Sequence, residues 1–385
     1  MNHDLEILSH KVAKQASLLR GSAKMCMMGV MRTEIVKISM KSDGSVIAQQ
    51  EEIQKAGKIL KEGGLVAFPT ETVYGLGGNA LLPEASQKIY AAKGRPSDNP
   101  LIVHISRHDA MEEIADPVPE SARLLAERFW PGPLTMILKK KEIVPLETTG
   151  GLSTVAIREP SHPVARALIE ASGGFVAAPS ANLSGKPSPT NAERVIEDLS
   201  GRVDMILDNG SVGIGLESTI VDLTEKVPVI LRPGFLTLEM VREVLPDTIL
   251  DPGIAGVDTA APPKAPGMKY RHYAPKAPLV LVEGPAQQVI GKINALTAEG
   301  EAEGKKIGIL ATEETKRYYS KGTVLCIGKR ADEESIARNL YECLRRFDEL
   351  NIDRIYSETF PDEGLGQAIM NRLIKAAGHQ VIEVS

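Results

Sequence analysis

Apolar residues fall in short runs along most of this chain, and between the runs they recur at helical spacing. Gly64-Leu65-Val66-Ala67-Phe68-Pro69-Thr70 reads as a buried strand, and residues 83–92 as a helix that ends at Lys93-Gly94-Arg95. Strands are predicted at 101–105 and 134–138, with a helix at 121–130 between them. Two more, at 154–158 and 175–178, enclose a helix at 162–171, while 219–223 and 227–231 predict a hairpin. From Glu34 to about Leu245 this mixture predicts an α+β domain on a twisted mixed sheet, not a regular βαβ repeat.

The pattern breaks after Leu245. Asp251-Pro252-Gly253, Ala261-Pro262-Pro263-Lys264 and Ala265-Pro266-Gly267 exclude a helix or a central strand and predict a semi-rigid linker. It contains Met268-Lys269-Tyr270-Arg271-His272-Tyr273, cations and aromatic rings that a spacer does not need. Beyond it, strands at 279–282, 307–310, 324–327 and 352–356 alternate with helices such as 335–350 and 365–377. They predict a small Rossmann-like parallel α/β domain. The chain thus divides into an extension at 1–32 that reads as poorly ordered, a domain at 33–245, a linker at 246–277 that could serve as a lid, and a domain at 278–385.

Composition removes several function classes. With 43% hydrophobic and 25% charged residues, the 385-residue chain has the balance of a soluble two-domain protein. A formal charge of −5 argues against coating nucleic acid as the main task, although a local basic cleft remains compatible with it. Cys26, Cys326 and Cys343 are too scattered for a zinc cluster or a disulfide framework and suggest a reducing compartment. The run Met25-Cys26-Met27-Met28-Gly29-Val30-Met31 is too short to span a membrane, so a cytoplasmic location is expected. There is no P-loop signature and no His-Glu-x-x-His. Gly213-Ile214-Gly215 and Gly364-Leu365-Gly366 lack the last glycine of a dinucleotide fingerprint, and Ser180 lacks the flanking glycines of a nucleophile elbow.

The remaining chemistry clusters at predicted strand ends. Lys93-Gly94-Arg95, Asn99 to His104 and Ser180-Ala181-Asn182 place two cations, two amides, an imidazole and a hydroxyl at such junctions. Cations there suit a phosphate-rich ligand, because Lys and Arg donate charge-assisted hydrogen bonds to phosphoryl oxygens. Beside Gly94, both cations read as exposed. Thr70, Thr72, Tyr74, Thr154, Arg158, Ser218 and Arg232 likewise follow or end apolar runs, where ligand clefts form in α/β proteins. Each alone could be a turn hydroxyl, a core histidine or a surface ion pair; the case is collective.

Six segments in order resemble the YrdC-type threonylcarbamoyl-AMP synthase family. They are Phe68 to Leu76, Lys93 to Pro96 with Asn99-Pro100-Leu101, Trp130 to Thr135, Pro179 to Gly185, Glu217 to Asp222 and Ile230 to Gly234. Lys-x-Arg with Ser-x-Asn is that family's fingerprint, and Lys269 to Pro275 with the C-terminal domain resembles its long, two-domain form. The resemblance implies synthesis of threonylcarbamoyl-adenylate and pyrophosphate from L-threonine, bicarbonate and ATP, for modification of tRNA beside the anticodon. It implies threonine contacts at Thr72, His104, Arg158, Ala178 and Ser218, and ATP contacts at Arg95, Asn99, Thr154, Ser180, Ser188, Arg232 and Tyr270. Lys93, Arg95, Ser180 and Asn182 are the implied catalytic set, with Lys93 against phosphate or bicarbonate. Magnesium is expected to arrive with ATP and not in a protein-held site. The threonylcarbamoyl-transfer machinery acting on tRNA is the implied partner. Two alternatives stay open at this level. One is an RNA-binding module, against which stand the acidic balance and the 4% aromatic content. The other is a carbamoyl-transfer enzyme of hydrogenase maturation, whose zinc-finger Cys pairs are missing here.

Overall fold

A computed structural model describes residues 32–40, 51–255, 265 and 272–385. Residues 1–31 of the extension and Lys269, Tyr270 and Arg271 of the linker lie outside them. Eleven strands form the first sheet: β1 (Glu34–Lys37), β2 (Val66–Phe68), β3 (Gly75–Asn79), β4 (Ile102–His104), β5 (Leu134–Lys139) and β6 (Thr154–Arg158), then β7 (Val176–Ala177), β8 (Met205–Asp208), β9 (Thr219–Asp222), β10 (Val229–Arg232) and β11 (Ile249–Leu250). Their order is β1-β8-β2-β3-β7-β4-β6-β5-β9-β10-β11. Pairing is mixed, as expected: β4 runs parallel to β6, while β5 and β6, β4 and β7, and β9 and β10 are antiparallel.

Residue alternation explains how both faces of this sheet are covered. Around β2, Val66 and Phe68 enter one apolar cluster, and Leu65 and Ala67 enter the other. The first cluster is closed by α1 (Glu51–Lys61), which contributes Ile53, Ala56 and Leu60. The second is closed by α2 (Pro83–Lys93), α3 (Glu120–Phe129) and, later in the chain, Val195 and Leu199. Helix α4 (Pro163–Ala171) lies against α1, so close that a Cβ on Gly57 would stand 2.7 Å from Ala171. Helix α5 (Ala192–Leu199) starts under an Asn191 side-chain cap.

The second sheet is wholly parallel. It contains β12 (Leu279–Glu283), β13 (Ile307–Ala311), β14 (Thr323–Cys326), β15 (Arg354–Glu358) and β16 (Val381–Glu383), in the order β14-β13-β15-β12-β16. Helix α6 (Ala286–Ala302) covers one face, and α7 (Glu333–Glu349) and α8 (Gly364–Ala377) cover the other. The cluster under α7 and α8 also takes in Val73, Leu216 and Tyr273. Loop residues of the first domain thus pack into the core of the second, and Gly215 at φ 87 lets the chain pass α7 where a Cβ would meet Arg338 Cα at 2.5 Å. Among the described residues, no helix is long and apolar enough to cross a membrane.

Several elements depart from the sequence-based expectation. β1, β3, β8, β16, α1 and α5 had no predicted counterpart, while α6 fills the place between two strands that the predicted alternation gives to a helix. The stretch read as linker from 246 onward begins by adding β11 to the sheet edge, parallel to β10, before a 3-10 turn at Pro252–Ala255. A two-residue edge strand asks little of the backbone, so the Pro and Gly residues that follow do not prevent it.

Candidate active site

The ends of β2, β4, β6, β7 and β10 converge on one cleft, lined largely by polar and charged side chains. Thr70, Thr72 and Tyr74 reach it from the turn after β2, His104 and Arg158 from the last positions of β4 and β6, and Ala178, Ser180 and Asn182 from the loop after β7. Ser218 precedes β9 and Arg232 ends β10. Lys93 and Arg95 enter from the end of α2. Gly94, at φ 62, gives its N–H to the Tyr90 and Ala91 carbonyls and turns the chain between the two cations.

Local hydrogen bonds fix these groups. Thr70 Oγ1 donates to the Val73 carbonyl at 2.6 Å and lies 2.8 Å from Thr72 Oγ1. Arg158 donates from Nη1 to Thr72 Oγ1 at 2.9 Å, from Nη2 to Glu71 Oε1 at 2.7 Å and from Nε to the Gly132 carbonyl at 3.3 Å. Arg232 donates from Nε and Nη2 to the Ser218 carbonyl at 3.0 and 2.9 Å, and Ser218 Oγ lies 2.7 Å from Thr135 Oγ1. Ser180 Oγ donates to Asn182 Oδ1 at 2.6 Å, while Asn182 Nδ2 holds the Leu183 and Lys186 carbonyls at 2.8 and 2.9 Å.

The expectation that Lys93 is exposed is overturned. It is 3% exposed, because the last turn of α2 faces the β7 loop, and its Nζ donates to the carbonyls of Ser180 and Asn182. Burial pushes its ammonium well below the usual lysine range, and neighbouring Arg95 adds to the push. Arg95 is half-buried, with Nη2 on the Pro100 carbonyl at 3.0 Å; burial lowers it to about 10, which leaves it cationic at neutral pH. Burial, then Arg158, lowers His104 to about 3, so its imidazole is neutral, and Nδ1 donates to the Ile102 carbonyl at 3.1 Å.

Of the residues singled out in the sequence, Lys93, Arg95, Ser180, Asn182, Thr72, His104, Arg158, Ala178, Ser218, Ser188 and Arg232 all line this cleft. Asn99 and Thr154 do not. Asn99 is 1% exposed beneath Arg95, whose Nε donates to its carbonyl at 3.3 Å, and Thr154 begins β6 opposite Lys139. Lys186 and Glu217 also line the cleft; the sequence reading assigned no role to Lys186 and took Glu217 only as the first residue of a motif.

Comparison with known proteins decides what this assembly belongs to. A family model described as telomere recombination matches residues 58–234, and one described as threonylcarbamoyl-AMP synthase, C-terminal domain, matches 236–378. The chain is 50% identical over 338 residues to the threonylcarbamoyl-AMP synthase of Pyrococcus abyssi, covering 87% of this chain and 97% of that one. With the Bacillus subtilis threonylcarbamoyl-AMP synthase it shares 51% identity over 332 residues, 86% of this chain and 94% of the relative. The chain belongs to the threonylcarbamoyl-AMP synthase family.

As a member of that family it is an enzyme of the nucleotidyltransferase type. The P. abyssi Sua5 structure complexed with L-threonine superposes with a TM-score of 0.85 at 47% identity, covering 92% of this chain and all (100%) of that one. The likeness spans both sheets, so the parallel C-terminal domain is part of the family's long form. Five basic side chains line the cleft: Lys93, Arg95, Arg158, Lys186 and Arg232.

Proposed function

We propose that this enzyme condenses L-threonine, bicarbonate and ATP into L-threonylcarbamoyladenylate and pyrophosphate. The observation that carries this reading is the convergence of those five basic side chains on one cleft that also holds the hydroxyls of Thr72, Ser180 and Ser218. The amine of threonine attacks bicarbonate, giving a carbamate and water. A carbamate oxygen then attacks the α-phosphorus, and pyrophosphate leaves with the electron pair of the broken P–O bond. Nothing here needs a covalent enzyme nucleophile; alignment and charge neutralisation are the work required. Arg158 is the threonine-carboxylate clamp, because a planar guanidinium matches a carboxylate and Glu71 already holds it in place. Arg95 and Arg232 face the phosphates, with Ser188 beside them. Neutral His104, whose one N–H is held on Nδ1 by the Ile102 carbonyl, can accept near the threonine amine without adding charge.

Magnesium would enter with the nucleotide. Glu217 is the one carboxylate among the described lining residues, and both its oxygens already accept hydrogen bonds, so the protein offers charge-complementary phosphate contacts more than metal ligands. The product would pass to the threonylcarbamoyl-transfer machinery that modifies tRNA beside the anticodon, in the cytoplasm. His272 and Tyr273 lie at the cleft wall, and we read the segment before them, with Tyr270, as a lid that keeps water from the labile intermediates. Proteolysis between Pro246 and Pro278 should slow when ATP and threonine are both present; an unchanged rate would leave the segment a tether. The reaction itself is tested by pyrophosphate release, which should require both L-threonine and bicarbonate. Equally fast ATP breakdown with neither present would dismiss the synthase reading.

A further inference from the structure

The cation-lined cleft contains one acid among its described lining residues, Glu217. It is 6% exposed and its oxygens are saturated: Oε1 accepts from Ser188 Oγ at 2.6 Å and Tyr341 Oη at 3.0 Å, and Oε2 from Tyr341 Oη at 2.8 Å and Arg372 Nε at 3.1 Å. Two of its three partners come from the C-terminal domain, Tyr341 from α7 and Arg372 from α8. Tyr341 is fully buried and Arg372 is 1% exposed. Burial alone pushes the Glu217 carboxyl up, yet Arg372 and Arg232, helped by Ser188, hold it below the ordinary glutamate range, so it is ionised. Arg372 also gives Nη1 to the Pro233 carbonyl, next to Arg232, and its guanidinium stands 6.0 Å from the ring of Tyr273, which stacks on Tyr341.

An ionised carboxylate in the wall of a phosphate-binding cleft repels its ligand, and burial strengthens that repulsion. We infer that Arg372 is a positioning residue whose charge cancels that of Glu217, so that the C-terminal domain makes the cleft able to accept the triphosphate of ATP. Arg372 does not itself line the cleft; it acts through Glu217 and the Arg232-Pro233 turn. This gives the second domain a task in catalysis beyond packing. The inference rests on the ATP reading given above.

The test measures kcat and KM for ATP and for threonine separately in the full chain, with melting curves, for Arg372→Lys, Arg372→Gln and the double variant Arg372→Gln with Glu217→Gln. Removing the charge in Arg372→Gln should raise the ATP KM roughly 10–100-fold and leave the threonine KM within about threefold. Arg372→Lys, which keeps the charge, and the double variant, which removes both charges, should each stay within about fivefold of the native ATP KM. A role confined to packing predicts instead that Lys and Gln at 372 behave alike and that the double variant is worse than either. Either result would overturn the inference. Should Arg372→Gln not fold, the double variant still decides: a tenfold rise in ATP KM with both charges gone refutes charge cancellation (a factor of ten being about 1.4 kcal/mol). Native enzyme without a saturable ATP requirement would instead remove the ATP reading itself.

Discussion

Lys93 separates a structural role from a charge role most sharply. Lys93→Met removes the donor from two buried carbonyls, those of Ser180 and Asn182, while keeping most of the side-chain volume. Leaving a buried acceptor unsatisfied costs about 1–3 kcal/mol, so the two together cost roughly 2–6 kcal/mol. Part is recovered because the cation no longer has to be desolvated, which leaves a net loss of about 2–4 kcal/mol. At about 2–4 °C per kcal/mol, the melting midpoint should fall by roughly 5–15 °C. Turnover should fall about 10²–10³-fold as the Ser180–Asn182 loop moves and the charge is lost. Arg95→Ala is the control: Arg95 is half-buried and the Asn99 carbonyl it leaves still accepts from Tyr90 Oη at 3.2 Å, so turnover should fall by a similar factor of roughly 10²–10³ with less change in melting. Scanning calorimetry with pyrophosphate-release kinetics reads both quantities. If Lys93→Met melts within a degree or so of the native enzyme, Lys93 is not the pin that its contacts describe.

Arg158→Ala should raise the threonine KM by more than it raises the ATP KM; equal shifts would reject the carboxylate clamp. Folding lowers the His104 pKa from 6.5 to about 3, so the unfolded chain takes up this proton first. Its stabilising contribution is therefore full above pH 6.5 and is lost as pH falls toward 3, about 2 kcal/mol between pH 6.5 and 5. His104→Asn should flatten that limb of a urea-measured stability profile, and an unchanged slope would refute the assignment. Arg345→Ala leaves Asp198, whose side chain is 0% exposed, with only Lys186 as an ion-pair partner among the described residues, and frees the Pro187 carbonyl. It should cost about 3–5 kcal/mol in denaturant unfolding; less than about 1 kcal/mol would mean that the interdomain pair is not buried as described.

Strands rich in β-branched residues were legible in the sequence, and so was the chemistry they carry: Thr154 to Arg158 and Thr219 to Asp222 stand almost where their patterns put them. β3 was not, because Gly75-Leu76-Gly77-Gly78-Asn79 has no such residues. Its glycines answer to packing that only the fold reveals: a Cβ on Gly77 would stand 2.9 Å from both Phe68 and Val176. β8, with the sequence Met205-Ile206-Leu207-Asp208, carries a single β-branched residue, Ile206. The burial of Lys93 was hidden for a related reason, since a Lys-Gly-Arg turn looks the same whether its helix end faces water or a loop from another strand. Glu217 was read as part of a motif, while the tyrosine and arginine that complete it lie more than a hundred residues away, with separations of 124 and 155. No local pattern carries that information.

The pairing of β1 with β8 bears on how the chain is made. Thr33 and Val203, which bond at the start of this pairing, are 170 residues apart. At a synthesis rate of about 5–20 residues per second, β1 leaves the ribosome roughly 10–35 s before its neighbour exists. During that interval its unpaired N–H and C=O groups form an open template for other nascent chains. The charges of Glu34 and Lys37 at the two ends of this strand are then its protection, and they keep that task afterwards, because β8 covers one edge of β1 while the other stays the outer edge of the sheet.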